Sequence, residues 1–273
     1  MTQTETMSIP TLEQQLMDRF AAEATRLPLP ELQRRALTSF LGSGFPKTKS
    51  ERYKYSPFRN FALEQDLVAL PAEPPDAATI ASLALPEMDG LVVVLINGAY
   101  SPHLSKLDAI PNGVNIEPLA DALRAGNEQA LRYFDQIANP AEDAFVAINT
   151  ALLTDGLLVQ VKAGKMVAPI LHIVNLVNVA NDAFVQPRML VVVDSGASIR
   201  IVESRIALSA TASFVNMVSE WRIAEHAQVS YHLLQDVGED TKEHHTLASQ
   251  QETGSVFSTN VLTLSGKEVR NNQ

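Results

Sequence analysis

Gly196-Ala197-Ser198-Ile199-Arg200-Ile201-Val202 returns as His226-Ala227-Gln228-Val229-Ser230-Tyr231-His232, so that Ala197 corresponds to Ala227, Ile199 to Val229 and Ile201 to Tyr231 at an offset of 30. A fainter third copy continues the columns through Phe257, Thr259 and Val261. In both full copies apolar residues recur at every second position, which is the pattern of a strand with one face buried. Short alternating strands repeated at intervals of roughly 20 to 50 residues come from stacked coils or blades, because each unit can bury its apolar face only against its neighbours. The repeat therefore predicts a parallel β-helix whose coils contribute strands to two or three sheets, with equivalent residues stacked in columns.

Upstream of this stretch the same texture reaches back to about residue 150. Strands are expected at 157–161, 170–179, 189–193, 198–203, 213–223, 228–235, 243–251 and 256–264, most of them bounded by Gly, Asp, Asn, Ser or Ala. Strand intervals of this length also occur in sandwiches and barrels, and the 30-residue offset is what favours the solenoid. The first half reads differently. Leu12, Leu16, Met17 and Phe20 recur at helical spacing behind Thr11, Pro28 and Pro30 interrupt, and Leu32, Ala36, Leu37, Phe40 and Leu41 resume before Gly42 and Gly44. This predicts a helical hairpin. Tyr53, Tyr55, Phe58 and Phe61 lie in a Pro-interrupted stretch read as a loop packed over those helices. Residues 91–96 form an apolar run ended by Asn97-Gly98, a buried strand with a tight turn, and 117–138 return to helical spacing. The organisation expected is a mixed, helix-rich region over 1–150 and early β-helix coils over 151–273.

With 273 residues and 46% hydrophobic content, the chain can bury a large core. Its formal net charge of −10 sets like charge against phosphate, which disfavours nonspecific nucleic-acid binding and anionic membrane surfaces. The start, Met1-Thr2-Gln3-Thr4-Glu5-Thr6, lacks a basic and then apolar leader, and no run approaches the roughly 18 apolar residues of a span, so a cytoplasmic protein is expected. There is no cysteine, which removes disulfides, thiolate nucleophiles and cysteine ligation of metals.

Several constellations invite a chemical reading and fail it. Gly42-Ser43-Gly44-Phe45-Pro46-Lys47-Thr48 looks like a phosphate loop, but Pro46 stands where the Walker pattern needs Gly and has no N–H to donate. His226 and His232 would share a strand face about 20 Å apart, and His244 and His245 would point to opposite faces, so no metal site is assigned. A polysaccharide-cleaving β-helix needs stacked acids. At the 30-residue register the columns run Asp194, Ala224, Gly254 and Glu203, Leu233, Thr263, while Arg200, Ser230 and Asn260 form a polar column suited to a solvated face. No Gly-x-Ser-x-Gly elbow occurs. Glu220 and Trp221 fall on opposite faces of a strand, one packed and one solvated. No catalytic, cofactor-binding or metal-binding residue is assigned.

Taken together, the segments resemble the SufD branch of the SufB/SufD family, scaffold subunits of the SUF iron-sulfur cluster assembly machinery. The likeness is carried in order by the block from Phe45-Pro46 through Glu51, Lys54 and Tyr55 to Pro57, with Arg52-Tyr53 where the family usually has Glu-Trp. It continues through Asn97-Gly98 with Leu104-Ser105, Asn149-Thr150-Ala151 with Asp155-Gly156, Pro187-Arg188, Asn216 and Glu220, Ser265-Gly266-Lys267, and Val269-Arg270-Asn271.

The resemblance implies helices followed by a right-handed parallel β-helix, with the motif residues in structural roles. It also implies a noncatalytic scaffold working with SufB-like and SufC-like subunits, the iron-sulfur cluster and ATP belonging to the assembled complex rather than to this chain. Family members continue past the Arg-Asn block into further coils and a helical region that docks SufC, so a chain ending at Gln273 is expected to be truncated. A solenoid without a cap exposes apolar side chains and strand edges, so exposed apolar surface and self-association are expected at that end. A carbohydrate-acting β-helix enzyme and a β-sandwich binding module remain the alternatives.

Overall fold

One repeat of thirty residues is one turn of a solenoid, and the computed structural model describes it within residues 12–46, 70–83, 85 and 90–273. The chain enters through helices α1 (Leu12–Ala22) and α2 (Pro30–Ser43) and the short α3 (Ala77–Leu83). Pro30 opens α2, where its missing N–H is one of the helix-end orphans anyway, and Gly44 closes it at φ 63°. Gln33 then fastens the helix from within. Its Oε1 accepts the Leu29 N–H at 3.0 Å while its Nε2 donates to the carbonyls of Thr150 and Leu153 at 3.2 and 2.7 Å.

Strands β1 (Leu91–Ile96), β2 (Ala99–Tyr100) and β3 (Val114–Pro118) follow, then helices α4 (Leu119–Arg124), α5 (Glu128–Tyr133) and α6 (Ala144–Ala151). Ten strands follow in turn. They are β4 (Leu157–Val161), β5 (Leu171–Val177), β6 (Phe184–Val185), β7 (Arg188–Val193), β8 (Ser198–Ala207), β9 (Phe214–Ile223), β10 (Gln228–Asp236), β11 (Lys242–Gln251), β12 (Val256–Ser265) and β13 (Glu268–Asn272). Apart from the short β6, which pairs with β9 beside β7, they alternate between two sheets, of order β12-β10-β8-β5-β1-β2 and β13-β11-β9-β7-β4-β3. The result is a mainly β protein with N-terminal helices and a parallel β-solenoid of about four turns. β1 joins the first sheet in parallel beside β5, and β3 closes the second antiparallel to β4.

The register keeps the expected faces but not the expected spacing throughout. β8 and β10 pair at an offset of 30, Ile199 on Val229 and Ile201 on Tyr231. The next coil is two residues shorter, so Phe257 stacks on Val229, Thr259 on Tyr231 and Val261 on Leu233. Because strand faces alternate with period two, losing two residues preserves which side chains point inward. The polar column accordingly runs Arg200, Ser230, Ser258 rather than through Asn260, and the column through Glu203 and Leu233 continues to Val261 rather than Thr263.

The turns that carry the chain from the second sheet to the first also stack. Each contains one residue in the left-handed region: Gly164 (φ 67°), Gly196 (φ 65°), His226 (φ 58°) and Gly254 (φ 67°). Successive turns are hydrogen bonded through Gly164 N to Ser195 O, Gly196 N to Glu225 O and His226 N to Thr253 O. His226 is thus a turn residue, not a strand residue sharing a face with His232.

Between the sheets lies an apolar core of Leu171, Ile173, Val191, Ile199, Ile201, Val229 and their neighbours, closed by Trp221 against Tyr231 and Phe257 at ring distances of 4.7 and 5.0 Å. The outer face of the second sheet is buried as well, under the helical layer. Leu119, Leu123 and Phe134 cover Leu158, Leu190 and Val192, and Phe145 and Ile148 meet the stacked pair Phe184 and Phe214. Strands covered on both faces read as continuous apolar runs, as β7 does after Arg188.

Candidate functional site

Three separated sequence blocks converge on a fourth, Pro187-Arg188, where the helical layer meets the second sheet. Asn97 and Gly98 form the β1–β2 hairpin turn, both with positive φ (52° and 87°), the backbone that Asn-Gly adopts with least strain. The turn lies so close to Pro187 that a Cβ on Gly98 would stand 3.0 Å from the Pro187 Cα. Gly156 approaches from the other side, where a Cβ would meet the Arg188 carbonyl at 2.7 Å. Its neighbour Asp155 accepts N–H groups from Tyr100 at 3.1 Å and Ala120 at 3.4 Å, and burial raises its carboxyl above the usual range. Asn149, buried in α6, donates to the carbonyls of Pro187 at 2.9 Å and Asn216 at 2.8 Å, stitching the helix to two successive coils.

Arg188 is fully buried beneath this junction. One guanidinium nitrogen donates to Asn149 Oδ1 at 3.1 Å and Thr150 Oγ1 at 3.2 Å; the other donates to Asp135 Oδ1 at 2.8 Å and to Glu220 Oε2. Its flat face covers the Phe134 ring at 4.7 Å. Glu220 also accepts the backbone N–H groups of Asp135, Ile137 and Ala138 at 3.2, 3.1 and 3.0 Å. Burial pulls the Arg188 pKa down, but the Glu220 and Asp135 charges outweigh it and hold the group above its ordinary value. Burial dominates at Asp135 instead, with Glu220 adding to it, and pushes the carboxyl up to about 6 despite Arg188.

A second charged cluster sits inside the solenoid. Arg205 donates through Nε to Glu203 Oε1 at 2.7 Å and through Nη1 to Glu243 Oε1. Tyr231 donates to Glu203 Oε2 at 2.6 Å, Asn175 to Glu203 Oε1 at 3.1 Å, and Gln235 to Glu243 at 2.8 Å. Burial alone would raise Glu203, yet Arg205 and these donors hold it below the usual carboxylate range. His245 Nε2 faces both the Ser219 hydroxyl at 2.9 Å and Arg205 at 3.3 Å, and burial beside Arg205 keeps its imidazole neutral, well below the ordinary value.

The remaining motif residues lie elsewhere. Phe45 packs on Phe40, Phe145 and Phe184, with Pro46 beside it, whereas Glu51, Lys54, Tyr55 and the other aromatics of that block fall outside the described residues. Arg270 and Asn271 are in β13 at the far end of the second sheet, where Asn271 donates to Gln235 at 3.1 Å. His245 points into the solenoid while His244 stacks on Phe145 beneath α6, so the adjacent pair does take opposite faces. At the same end Val256, Leu262 and Leu264 on β12 are 53%, 58% and 60% exposed, the apolar surface expected there.

Sequence reasoning gave Glu220 no buried role and treated one of the Glu220–Trp221 pair as solvated. Both are fully buried, Trp221 inside the solenoid and Glu220 under the helical layer. The ladder columns also concealed the Arg205 cluster, because Glu203 and Glu243 come from opposite sheets and meet across the interior. An acid alternating inward on a strand, as Glu203 does after Ile199 and Ile201, was the signal for it.

A family model described as the SufBD protein N-terminal region matches residues 12–173, and one described as the SUF system FeS cluster assembly SufBD core domain matches residues 175–273. The chain belongs to the SufBD family. A Synechocystis sp. protein named as an iron-sulfur cluster assembly SufBD family protein is 29% identical to it over 209 residues, covering 73% of this chain and 46% of that protein. The chain thus spans about half the length of the curated relative it matches. For this SufBD family member, the converging motifs are those that join the helical region to the solenoid core. Among the described residues no helix is long and apolar enough to cross a membrane.

Proposed function

We propose that this chain is a SufD-like, noncatalytic scaffold subunit of the SUF iron-sulfur cluster assembly system, working with SufB-like and SufC-like subunits. The observation that carries the reading is the match of the two SufBD family models, in order and nearly end to end over residues 12–273. The composition agrees with this reading: the 273 residues contain no cysteine, so they themselves offer no thiolate for sulfur transfer or cluster ligation. The buried carboxylates of Glu203, Glu220, Asp135 and Glu243 are each paired with an arginine, which fixes their geometry within the fold. On this reading the cluster and ATP belong to the assembled complex, with ATP hydrolysis in the SufC-like subunit.

The test is coexpression of the complete gene product with SufB-like and SufC-like subunits from the same source. The three purify together if the reading is right. Failure of the complete product to bind either partner overturns it.

A further inference from the structure

On the outer face of the first sheet lies a cavity of about 480 Å³, floored by β8, β10 and β12 and walled by Met166 and Ala168. Ile199, Val229 and Phe257 point into the solenoid, so the alternate positions Ser198, Arg200, Gln228, Ser230, Val256 and Ser258 face the cavity. Arg200, Ser230 and Ser258 stand side by side in the register. Arg200 is exposed, and its Nη2 donates to the Ala168 carbonyl at 2.6 Å, which ties the guanidinium to the cavity wall. Its Nε and Nη1 have no partner among the described residues. Arg188, Arg205 and Arg222 are each paired with a carboxylate, whereas no carboxylate lines this cavity. The strand segments 198–202, 228–232 and 256–260 hold no Asp or Glu at all, in a chain whose acidic residues outnumber its basic ones by 31 to 21.

The hydroxyl beside Arg200 is also turned toward an anion. Asn260 Nδ2, which can only donate, meets His232 Nδ1 at 3.3 Å. In the uncharged ring the proton is then on Nε2 and is donated to Ser230 Oγ at 2.9 Å. The Ser230 hydroxyl hydrogen is left to donate elsewhere.

We propose that this cavity binds a carboxylate carried on a short alkyl chain, the carboxylate on Arg200 and Ser230 and the chain against Met166 and Val256. The lining selects this class. A guanidinium donates in a planar fork that matches the two oxygens of a carboxylate, and its single charge balances a monoanion, where a phosphate dianion needs a second cation. A metal ion or an amine finds no acid here. Met166 and Val256, 82% and 53% exposed, offer apolar surface that a carbon chain would cover. The ligand is a free carboxylic acid or the C-terminal carboxylate of a peptide. The inference does not depend on the SUF reading, and partner copurification can fail without touching it.

The test is titration of the purified protein at neutral pH with pentanoate, N-acetyl-leucine, n-pentanol and inorganic phosphate, followed by calorimetry and by NMR of the Met166 and Val256 methyls. Saturable binding of a carboxylate with a Kd of about 1 mM is expected, with no saturation by n-pentanol. Arg200→Gln and, independently, Ser258→Trp should each weaken it at least about tenfold, the second by filling the cavity with the guanidinium left in place. Arg200→Lys, which keeps the charge and loses the fork, should fall between Arg200→Gln and the parent. Tighter binding of N-acetyl-leucine identifies a peptide C-terminus as the source, and tighter binding of pentanoate a free acid. Absence of saturation by either carboxylate, equal binding of n-pentanol, tighter binding of phosphate, or full affinity in both Arg200→Gln and Ser258→Trp overturns the proposal.

Discussion

Replacing Asp135 by Asn should stabilise this protein at neutral pH, although it removes one partner of a buried arginine. The Asp135 carboxyl is held at about 6 in the folded chain against 3.8 for the free group. Between those values the folded chain keeps a proton that the unfolded chain has released. Stability from this group is therefore fully present in acid and falls as pH rises through the window. At about 1.4 kcal/mol for each tenfold difference in proton affinity, the loss above pH 6 is at most about 3 kcal/mol. Asn stays neutral and keeps an oxygen to accept from Thr150 and Arg188, the bonds now made at 2.7 and 2.8 Å. Urea unfolding of both proteins across the window is the assay, since the double difference cancels distant carboxylates. The variant should match the parent near pH 4 and exceed it by up to about 3 kcal/mol near pH 7. A parent more stable than the variant at neutrality, by a margin that shrinks on acidification, would mean that Arg188 outweighs desolvation at Asp135 and refute the reasoning.

Arg205→Met leaves Glu203 and Glu243 buried without their cation and should cost about 3 to 5 kcal/mol in the same urea assay, whereas an exposed arginine would cost little. His226→Gly should stabilise by about 1 kcal/mol, raising the melting temperature by about 2 °C, because His226 alone carries a side chain at the left-handed position that Gly164, Gly196 and Gly254 fill in the other turns. No gain would mean that contacts of the imidazole offset the backbone strain. Gly156→Ala should destabilise by about 1 to 3 kcal/mol, since its Cβ would lie 2.7 Å from the Arg188 carbonyl and backbone would have to move. A neutral result by thermal unfolding would show the junction to be looser than described.

The solenoid was legible because its cause is local. Alternation at Ile199, Ile201 and Val229, Tyr231 records which side chains face inward, and a repeated turn records coil length. What the thirty-residue offset could not convey was a coil two residues shorter, because Phe257 continues the same face in either register. The candidate site was legible only as separate motifs. Asn97-Gly98, Asn149, Asp155-Gly156 and Pro187-Arg188 are each short and recognisable, but their convergence depends on the helical layer folding over the second sheet. The same layer buries Glu220, so alternation could assign its face and not its environment. Asp135, with its φ of 60°, carried no sequence signal of its own; it is defined by Arg188, fifty-three residues away.

The most direct test of the scaffold reading is reconstitution of cluster assembly from the complete gene product with its SufB-like and SufC-like partners, reading cluster delivered to an acceptor apoprotein and ATP hydrolysed, with each subunit omitted in turn. Delivery should fall when this chain is omitted, ATP hydrolysis should require the SufC-like subunit, and this chain alone should hydrolyse none. Delivery unchanged by its omission, or ATP hydrolysis by the chain alone, would contradict the scaffold reading.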